Sequence, residues 1–356
     1  MLAGTRGRSL RMFALVALAS TLSSCGDDSS SPTTPIPPQP TPIGWYKQSS
    51  NTSYGLLSVK FVTANRGVAV GVGGVMRVTA DGGQNWFPAT APATDRLNSV
   101  AFGDSLTGVA VGVDGTALRT IDGGLTWTQP AAPIRDVLNA VTFTSPTNAI
   151  AVGASARIYQ SIDGGNTWAL RYAGGGSSQS LVTVSFGDPN HGTTMGYVGQ
   201  IAYTTDGGVN WVPRTGIFSR FLRSVWFSDA NTGTAVGDGG AIVRTTDGGA
   251  TWVEQRSGVI AALTGVWFAD ADTGMAVGYA GTILRTTDGG QSWTPQVSGT
   301  THDLFDVFFT DTYTGTAVGE GGIVLHTVTG GEQSDPRDAL TAARSAALVH
   351  RLPRRE

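Results

Sequence analysis

The stretch that decides the fold is TTDGGVNW at positions 204–211, and the chain repeats it five more times with few changes. An Asp carboxylate can accept backbone N–H groups within its own turn, and a Gly-Gly pair allows positive φ. A Trp at a fixed interval after the Asp packs against neighbouring strands. We predict structural turns at Asp81, Asp122, Asp163, Asp206, Asp247 and Asp288, with packing by Trp86, Trp127, Trp168, Trp211, Trp252 and Trp293.

Around these turns the chain is built of seven units with a period close to 41 residues. Each unit contains short alternating runs separated by Gly-rich turns, which predicts four strands per unit. The first strands begin at Leu57, Leu97, Leu138, Leu181, Leu222, Leu263 and Leu304. The sequence therefore predicts an all-β fold, a seven-bladed β-propeller of four-stranded blades over residues 44–332.

The seventh unit is incomplete, because Ser334 stands where the other units have their Trp. The missing strand is found at the other end of the propeller, where Trp45 precedes Leu57. The interval between them is only one position longer than the interval that separates most of the repeat Trp residues from the next unit. We therefore expect an N-terminal strand to complete blade seven and close the ring, which removes free sheet edges.

Residues 1–24 have the features of a bacterial lipoprotein signal peptide. Three Arg residues precede an apolar run, 12–22, that is too short to span a bilayer. The run ends in Leu-Ser-Ser before Cys25, the only cysteine, which resembles a lipoprotein box. We predict lipidation of Cys25, a Pro/Ser/Thr-rich tether over 25–43, and export to the periplasmic or cell-surface side of a membrane. An ordinary signal peptide followed by an incidental Cys is the alternative.

Charge and composition exclude other classes of function. Removal of the signal peptide leaves 20 basic and 26 acidic residues, a net charge of −6. Nucleic-acid binding generally needs a basic face, so we expect no nucleic-acid partner. The four His residues show no metal-ligand spacing, and we predict neither a metal nor a cofactor.

The TxDGGxxW turns in units of about 41 residues resemble the photosystem II stability/assembly factor family, over residues 44–332. The resemblance implies a lumenal or periplasmic propeller that assists the assembly of membrane complexes without catalysis. It therefore implies protein partners at or near a membrane. Asp-box repeats are also similar to those of sialidases, so a glycan-binding or carbohydrate-active propeller is the alternative.

A glycosidase normally needs two placed carboxyl groups. Of the four Glu residues, only Glu320 is well placed to reach the axial mouth, and Asp136, Asp238 and Asp303 are further candidates. Sialidases also need an Arg cluster, a Tyr and a Glu. We therefore expect a binding protein and keep an Asp-pair glycosidase as the alternative.

Arg residues mixed with aromatic residues follow three consecutive blades, a combination typical of the centres of protein interfaces. We predict partner binding by Arg171, Arg214, Arg220, Arg223, Arg256, Tyr172, Phe218 and Phe221. Scattered solvated Arg residues are the alternative. The C-terminal tail, 333–356, has two open interpretations, a short amphipathic helix or a frayed end.

Replacement of Cys25 by Ser should move the protein from membrane to soluble fractions. Each buried acyl methylene contributes about 0.8 kcal/mol to membrane binding, and the variant has no acyl chains. Fractionation after a salt wash measures this change. A variant that stays on the membrane would show that another segment anchors the chain.

Overall fold

The strands form seven separate antiparallel sheets, which are the blades of a propeller. The computed structural model describes residues 43–92, 94–130, 134–174, 179–214 and 220–333. The predicted signal peptide, Cys25, nearly all of the tether, Phe218 and the tail beyond 333 lie outside these ranges. Among the described residues, no helix is long and apolar enough to cross a membrane.

The first strand within the described residues, β1 (Tyr46–Gln48), belongs to blade seven. Blades one to four contain, from the inner strand outward, β2 (Leu56–Phe61), β3 (Gly67–Gly71), β4 (Met76–Thr79) and β5 (Phe87–Pro88); β6 (Leu97–Phe102), β7 (Gly108–Gly112) and β8 (Ala117–Thr120); β9 (Leu138–Phe143), β10 (Ala149–Gly153), β11 (Arg157–Ser161) and β12 (Ala169–Ala173); β13 (Leu181–Phe186), β14 (Gly192–Gly196), β15 (Ile201–Thr204) and β16 (Val212–Arg214).

Blades five to seven contain, in the same order, β17 (Leu222–Phe227), β18 (Gly233–Gly237), β19 (Ile242–Thr245) and β20 (Val253–Gln255); β21 (Leu263–Phe268), β22 (Gly274–Gly278), β23 (Ile283–Thr286) and β24 (Thr294–Pro295); β25 (Leu304–Phe309), β26 (Gly315–Gly319), β27 (Val324–Thr327) and then β1. Single 3₁₀ turns join the second and third strands of five blades, at Val113–Gly115, Tyr197–Gly199, Asp238–Gly240, Tyr279–Gly281 and Glu320–Gly322.

The first strand of each blade contacts the first strands of both neighbouring blades, and β25 of blade seven contacts β2 of blade one. These inner strands therefore form a closed ring around the axis. The predicted seven-bladed propeller is confirmed. Blade two differs in its fourth strand, which is reduced to a bridge between Arg119 and Thr128. Pro130 has no N–H to donate at the next pairing position, which explains why the ladder stops there.

The first blade begins one position earlier than the sequence pattern predicts. Leu56 pairs with Gly71 as Leu97 pairs with Gly112, so Leu56 and not Leu57 is the equivalent first residue. The interval from Trp45 to this strand is then the same as for most of the other Trp residues. The predicted interval was one position too long because either residue of the Leu56-Leu57 pair matches the repeat.

The N-terminal strand completes blade seven, as predicted. Tyr46 pairs with His326, and the Gly44 N–H donates to the carbonyl oxygen of Glu332 (2.8 Å) and the hydroxyl of Thr329 (3.1 Å). The Trp45 ring is 8% exposed and meets Phe309 edge to face at 5.8 Å. Trp86 meets Phe61 in the same way at 6.0 Å, so Trp45 takes the place of the missing Trp of blade seven.

Each predicted turn between the third and fourth strands, here called an Asp-box turn, is closed by its own side chains. In blade four the Asp206 carboxylate accepts the Thr204 hydroxyl (2.8 Å) and the Asn210 N–H (2.9 Å). The Gly208 N–H donates to the Thr204 hydroxyl at 3.1 Å, and the Trp211 indole donates to the Gly208 carbonyl at 3.0 Å. These contacts fit the structural role expected of the Asp residues, which remains a prediction.

The same turns link successive blades, because their carbonyl oxygens accept side chains from the preceding blade. Arg119 donates to Gly164 (2.9 Å), Arg214 to Gly249 (2.5 Å) and Gln255 to Gly289 (3.0 Å). Arg214 and Gln255 occupy the same position relative to the repeat Trp of their blades. Arg214 is therefore a link between blades four and five.

The inner strands are joined by a second set of hydrogen bonds. The Val141 N–H donates to the Ser99 hydroxyl (3.3 Å) and the Val225 N–H to the Thr183 hydroxyl (3.1 Å), each across a blade boundary. Between blades seven and one the acceptor is the Asp306 carboxylate, which binds the Val59 N–H at 3.0 Å. Burial raises the pKa of Asp306, while the neighbouring Lys60 ammonium favours its charged form.

Replacement of Trp45 by Ala should lower the free energy of unfolding by about 3–5 kcal/mol, the usual cost of removing a buried Trp side chain. Urea denaturation measures this value. Tyr54→Ala is the control, because the Tyr54 ring is 56% exposed and its loss should cost little. An unchanged stability of the Trp45 variant would contradict closure of the ring by the N-terminal strand.

Arg214→Gln should stay within about 1 kcal/mol of the parent stability, because Gln255 makes the equivalent link in the next blade. Arg214→Ala should lose roughly 1–2 kcal/mol, since the Gly249 carbonyl then loses the charged donor from the preceding blade and keeps only the Trp252 indole N–H. Thermal and urea unfolding separate the two variants. Equal stability of the Gln and Ala variants would show that the link contributes nothing.

Candidate functional site

A β-bulge at the second residue of each inner strand directs a side chain toward the axis. The pairing register shifts at this residue in all seven blades. Bulges commonly re-aim a side chain in this way. The seven bulge residues line one cavity of about 330 Å³, the axial cavity, together with Arg96, Tyr197 and Tyr279; they are Leu57, Asn98, Asn139, Val182, Arg223, Thr264 and Phe305.

Three of the bulge residues are held by bonds to the next blade. The Asn98 amide donates to the Leu138 carbonyl at 2.8 Å, and the Asn139 amide to the Leu181 carbonyl at 2.7 Å. The Thr264 hydroxyl donates to the Leu304 carbonyl at 2.6 Å. These bonds connect the rim of the cavity to the ring of inner strands, so the cavity has a preformed polar lining.

Arg223 is the cation placed most directly among aromatic rings at the cavity. Its Nε lies 2.5 Å from an Asp238 carboxylate oxygen. Its guanidinium carbon lies 4.8 Å from the centre of the Phe221 ring and 5.4 Å from that of Tyr279. Phe221 in turn stacks on Tyr197 with ring centres 4.2 Å apart and planes within 8°. Four side chains from blades four to six thus form one aromatic and cationic surface.

The structure brings together half of the predicted partner-binding group. Arg220 and Arg256 line a neighbouring concavity of about 520 Å³ beside Gly239 and Gly240, on the same turn as the Arg223 partner Asp238. Arg220 lies 3.8 Å from Glu254, and both side chains are exposed, so this ion pair contributes little. Arg220, Phe221, Arg223 and Arg256 therefore surround one turn of blade five.

The other predicted members lie elsewhere. Arg171 donates to the Gln160 side chain at 2.8 Å, and Gln160 reaches the Asp-box turn of blade four. Arg214 lies in a crevice of about 200 Å³ beside the Asp-box turn of blade five. Tyr172 packs against the buried cluster between blades three and four. These three side chains connect blades, so they do not join the group around blade five, and Phe218 lies outside the described residues.

Of the ten residues that line the axial cavity, sequence reasoning assigned only Arg223 to a partner site, and Arg96, Tyr197 and Tyr279 are among those it missed. Arg96 directly precedes an inner strand, while Tyr197 and Tyr279 begin the turns between second and third strands. The other blades carry Val72, Val113, Ala154, Asp238 and Glu320 at the position of these Tyr residues. An alignment of the seven units would have shown that this position varies. Such variation indicates that the position is not used for packing.

The candidate catalytic acids all have partners. Partial burial tends to raise the pKa of Asp136, but hydrogen bonds from Tyr159 and Arg157 lower it. Asp303 accepts the Ala280 N–H at 2.9 Å, and Glu320 lies 3.4 Å from His302. Asp238 is paired with Arg223. In the described part of the chain, no group of three or more His, Cys, Asp or Glu side chains is arranged to hold a metal ion.

The Asp-box carboxylates are ionised and engaged in their own turns. Hydrogen bonds from Thr251 lower the pKa of Asp247 to about 2, and those from Ser292 lower the pKa of Asp288 to about 2. A general acid at neutral pH needs a raised pKa. These carboxylates are therefore unsuited to that role.

Comparison with known proteins supports the same fold. The sequence model of the family described as "Photosynthesis system II assembly factor YCF48" matches residues 125–211 and 254–342. The structure "YCF48 bound to D1 peptide" is 23% identical, with a TM-score of 0.68 over 80% of this chain and 97% of that chain. YCF48 from Cyanidioschyzon merolae is 22% identical, with a TM-score of 0.67 over 80% of this chain and 98% of that chain.

A more distant structural neighbour is an enzyme. The GH74 xyloglucanase from Xanthomonas campestris is 15% identical, with a TM-score of 0.62 over 79% of this chain and 53% of that chain. No curated protein matches the chain significantly in sequence. At these identities the structural neighbours establish the fold alone. The match to the family's sequence model, together with the closed ring of seven blades, six of which carry an Asp-box turn, shows that the chain belongs to the photosystem II assembly factor-like family of β-propellers.

Proposed function

We propose that this protein is a non-catalytic scaffold, anchored by lipid to a bacterial membrane, that binds a segment of a protein partner at the axial cavity. The observation that carries the proposal is the surface formed by Tyr197, Phe221, Arg223 and Tyr279 beside that cavity. Arg and aromatic side chains are enriched in the energetically important centres of protein interfaces. A similar propeller has been solved as YCF48 bound to D1 peptide, which supports a peptide segment as the ligand.

The chemistry of the cavity favours a partner that carries carboxylate groups. A guanidinium group offers several planar donors to a carboxylate and stacks on aromatic rings at the same time. Arg96 and Arg223 line the same cavity, and because Asp238 already pairs with Arg223, the net positive charge comes from Arg96, whose Nε donates to the Asn98 amide oxygen. Such local positive charge should orient an acidic segment more than it adds affinity, and salt should weaken the interaction.

A non-catalytic role fits the ion pairs that the candidate catalytic Asp residues form. Asp238 is neutralised by Arg223, and Asp136 by Arg157. A glycosidase of the usual kind needs one carboxyl group free to donate a proton and a second free to act as base or nucleophile. The contacts of the candidate acids therefore favour binding over hydrolysis, and the remote likeness to a xyloglucanase adds only the shared fold.

The double variant Arg96→Gln/Arg223→Gln should lose partner capture, because it removes both cations of the axial cavity. The test is a pull-down from solubilised membranes with the intact lipoprotein, quantified by mass spectrometry. Gln avoids placing a new acid beside Asp238, so we expect the melting temperature to stay within a few degrees of the parent.

The matched control is Lys47→Gln/Arg171→Gln, which changes the net charge equally but leaves the axial cavity and the turn of blade five intact, because Lys47 is exposed on the outer strand of blade seven and Arg171 follows the Trp of blade three. We expect this control to capture the same proteins as the parent, with the same decrease at high salt. Equal loss of partner capture in both double variants would show that the binding site lies elsewhere or that capture depends only on the net charge. Absence of any specific capture by the parent protein would contradict the scaffold function.

A further inference from the structure

A second layer of equivalent side chains lies deeper in the propeller than the axial cavity. It is formed by the fifth residue of each inner strand, three positions beyond the bulge in blade one. At the usual rise of about 3.3 Å per residue, this layer lies roughly 10 Å from the bulge residues. We call it the axial layer, and its members are Lys60, Ala101, Thr142, Ser185, Trp226, Trp267 and Phe308.

Large and small side chains are segregated in the axial layer. Blades five to seven contribute Trp226, Trp267 and Phe308, whose successive ring centres are 6.2 and 6.3 Å apart. Blades two to four contribute only small side chains at the same position. Thr142, on the small side, and Phe308 are half-buried, so solvent reaches the layer. The small side therefore leaves room that aromatic rings fill on the other side.

The Lys60 side chain, from blade one, extends toward the axis. Its Nζ lies 4.8 Å from the centre of the Phe308 ring in blade seven. It also lies 5.3 Å from the centre of the Trp226 ring in blade five. Contact with both blades places the ammonium group inside the axial layer, over the faces of two rings, where cation–π attraction stabilises it.

The ammonium of Lys60 has no acceptor for its N–H groups. Among the described residues it forms no hydrogen bond and no close ion pair, and its neighbours are the two rings and, at longer range, the Asp306 carboxylate. The Asp306 oxygens accept the N–H groups of Val59 (3.0 Å) and Val307 (2.9 Å) instead. Burial lowers the pKa of Lys60, and the charge of Asp306 opposes this change. An enclosed ammonium with three unsatisfied donors is costly.

We propose that the axial layer binds the carboxylate group of a small organic acid, held by the Lys60 ammonium on the side away from the aromatic rings. The negative faces of the rings disfavour an anion, whereas the small side chains of blades two to four leave room for one. A carboxylate supplies the missing acceptors, and charge-assisted hydrogen bonds of this kind are strong. The Thr142 hydroxyl, which forms no hydrogen bond with the described residues, is a second donor in the layer.

The ligand is a free acid and not the partner segment. A segment seated among the bulge residues lies roughly 10 Å from the layer, which is farther than an Asp or Glu side chain extends. The site uses neither Arg96 nor Arg223, so it does not rest on the proposed scaffold function.

The chain has only two lysines, Lys47 and Lys60, which gives the test an internal control. The full-length protein is labelled with ¹³C at the lysine Cε, kept in a neutral detergent and titrated with sodium acetate at constant ionic strength. The Lys47→Gln variant assigns the two signals. We expect a saturable shift of the Lys60 signal and none of the Lys47 signal, because Lys47 is exposed on β1. Acetamide, which has the shape of acetate without its charge, should shift neither signal.

Two substitutions of Thr142 keep both Lys60 and Asp306 and change only the small side of the layer. Thr142→Leu fills the space and removes the hydroxyl, so the saturable shift of the Lys60 signal should disappear. Thr142→Ser keeps the hydroxyl and is the matched control, which should respond to acetate like the parent. Because Thr142 is half-buried, both variants should melt within a few degrees of the parent protein.

A Lys60 signal that does not respond to acetate, or that responds alike to acetamide, would overturn the site. A saturable response that persists in Thr142→Leu would also overturn it, because the ligand then lies elsewhere. Partner capture by Thr142→Leu should equal that of the parent, and its loss would overturn a free acid as the ligand. Loss of capture in Arg96→Gln/Arg223→Gln with an intact acetate response is expected, so the site and the scaffold function fail independently.

Discussion

The carbonyl oxygens of the Asp-box turns are the acceptors on which the ring of blades depends. Within a turn such as that of blade four, the Asp206 carboxylate and the Thr204 hydroxyl bind local donors, and Gly207 adopts φ of +74°. This geometry presents the glycine carbonyls to the preceding blade, which donates from Arg, Asn or Gln side chains. A buried carbonyl without a donor is costly, so turn shape and blade contact stabilise each other.

The second constraint acts at the inner strands, where the geometry of the ring also creates the candidate site. The Ser99 and Thr183 hydroxyls bind N–H groups of the next blade, and the bulge residue directly precedes each of them. The side chain of the bulge residue itself lines the axial cavity in every blade. Asn and Thr at this position bind the next blade, whereas Arg223 is held among aromatic rings. The same β-bulge therefore occurs in every blade, whereas the residue at the bulge differs from blade to blade.

Blade seven differs from the other blades because the N-terminal strand completes it. Thr329 stands in the position of the repeat Asp, and its hydroxyl binds the incoming Gly44 N–H. Trp45 fills the Trp site from the other end of the propeller. The segment that closes the ring is thus the segment that leads from the predicted anchor.

The sequence by itself determined the repeat, the number of blades and the closing strand, because each depends on local spacing that is copied seven times. The Asp-to-Trp interval and the degenerate seventh unit are visible without coordinates, and only the choice between Leu56 and Leu57 was wrong. Tertiary structure decided which side chains share a surface. Arg171 and Arg214 follow their Trp residues at the same interval as Gln255, but whether such a side chain reaches a ligand or a neighbouring turn depends on the approach of the next blade. The cavity residues Arg96, Tyr197 and Tyr279 lie far apart in the chain, and they meet only because the ring is closed.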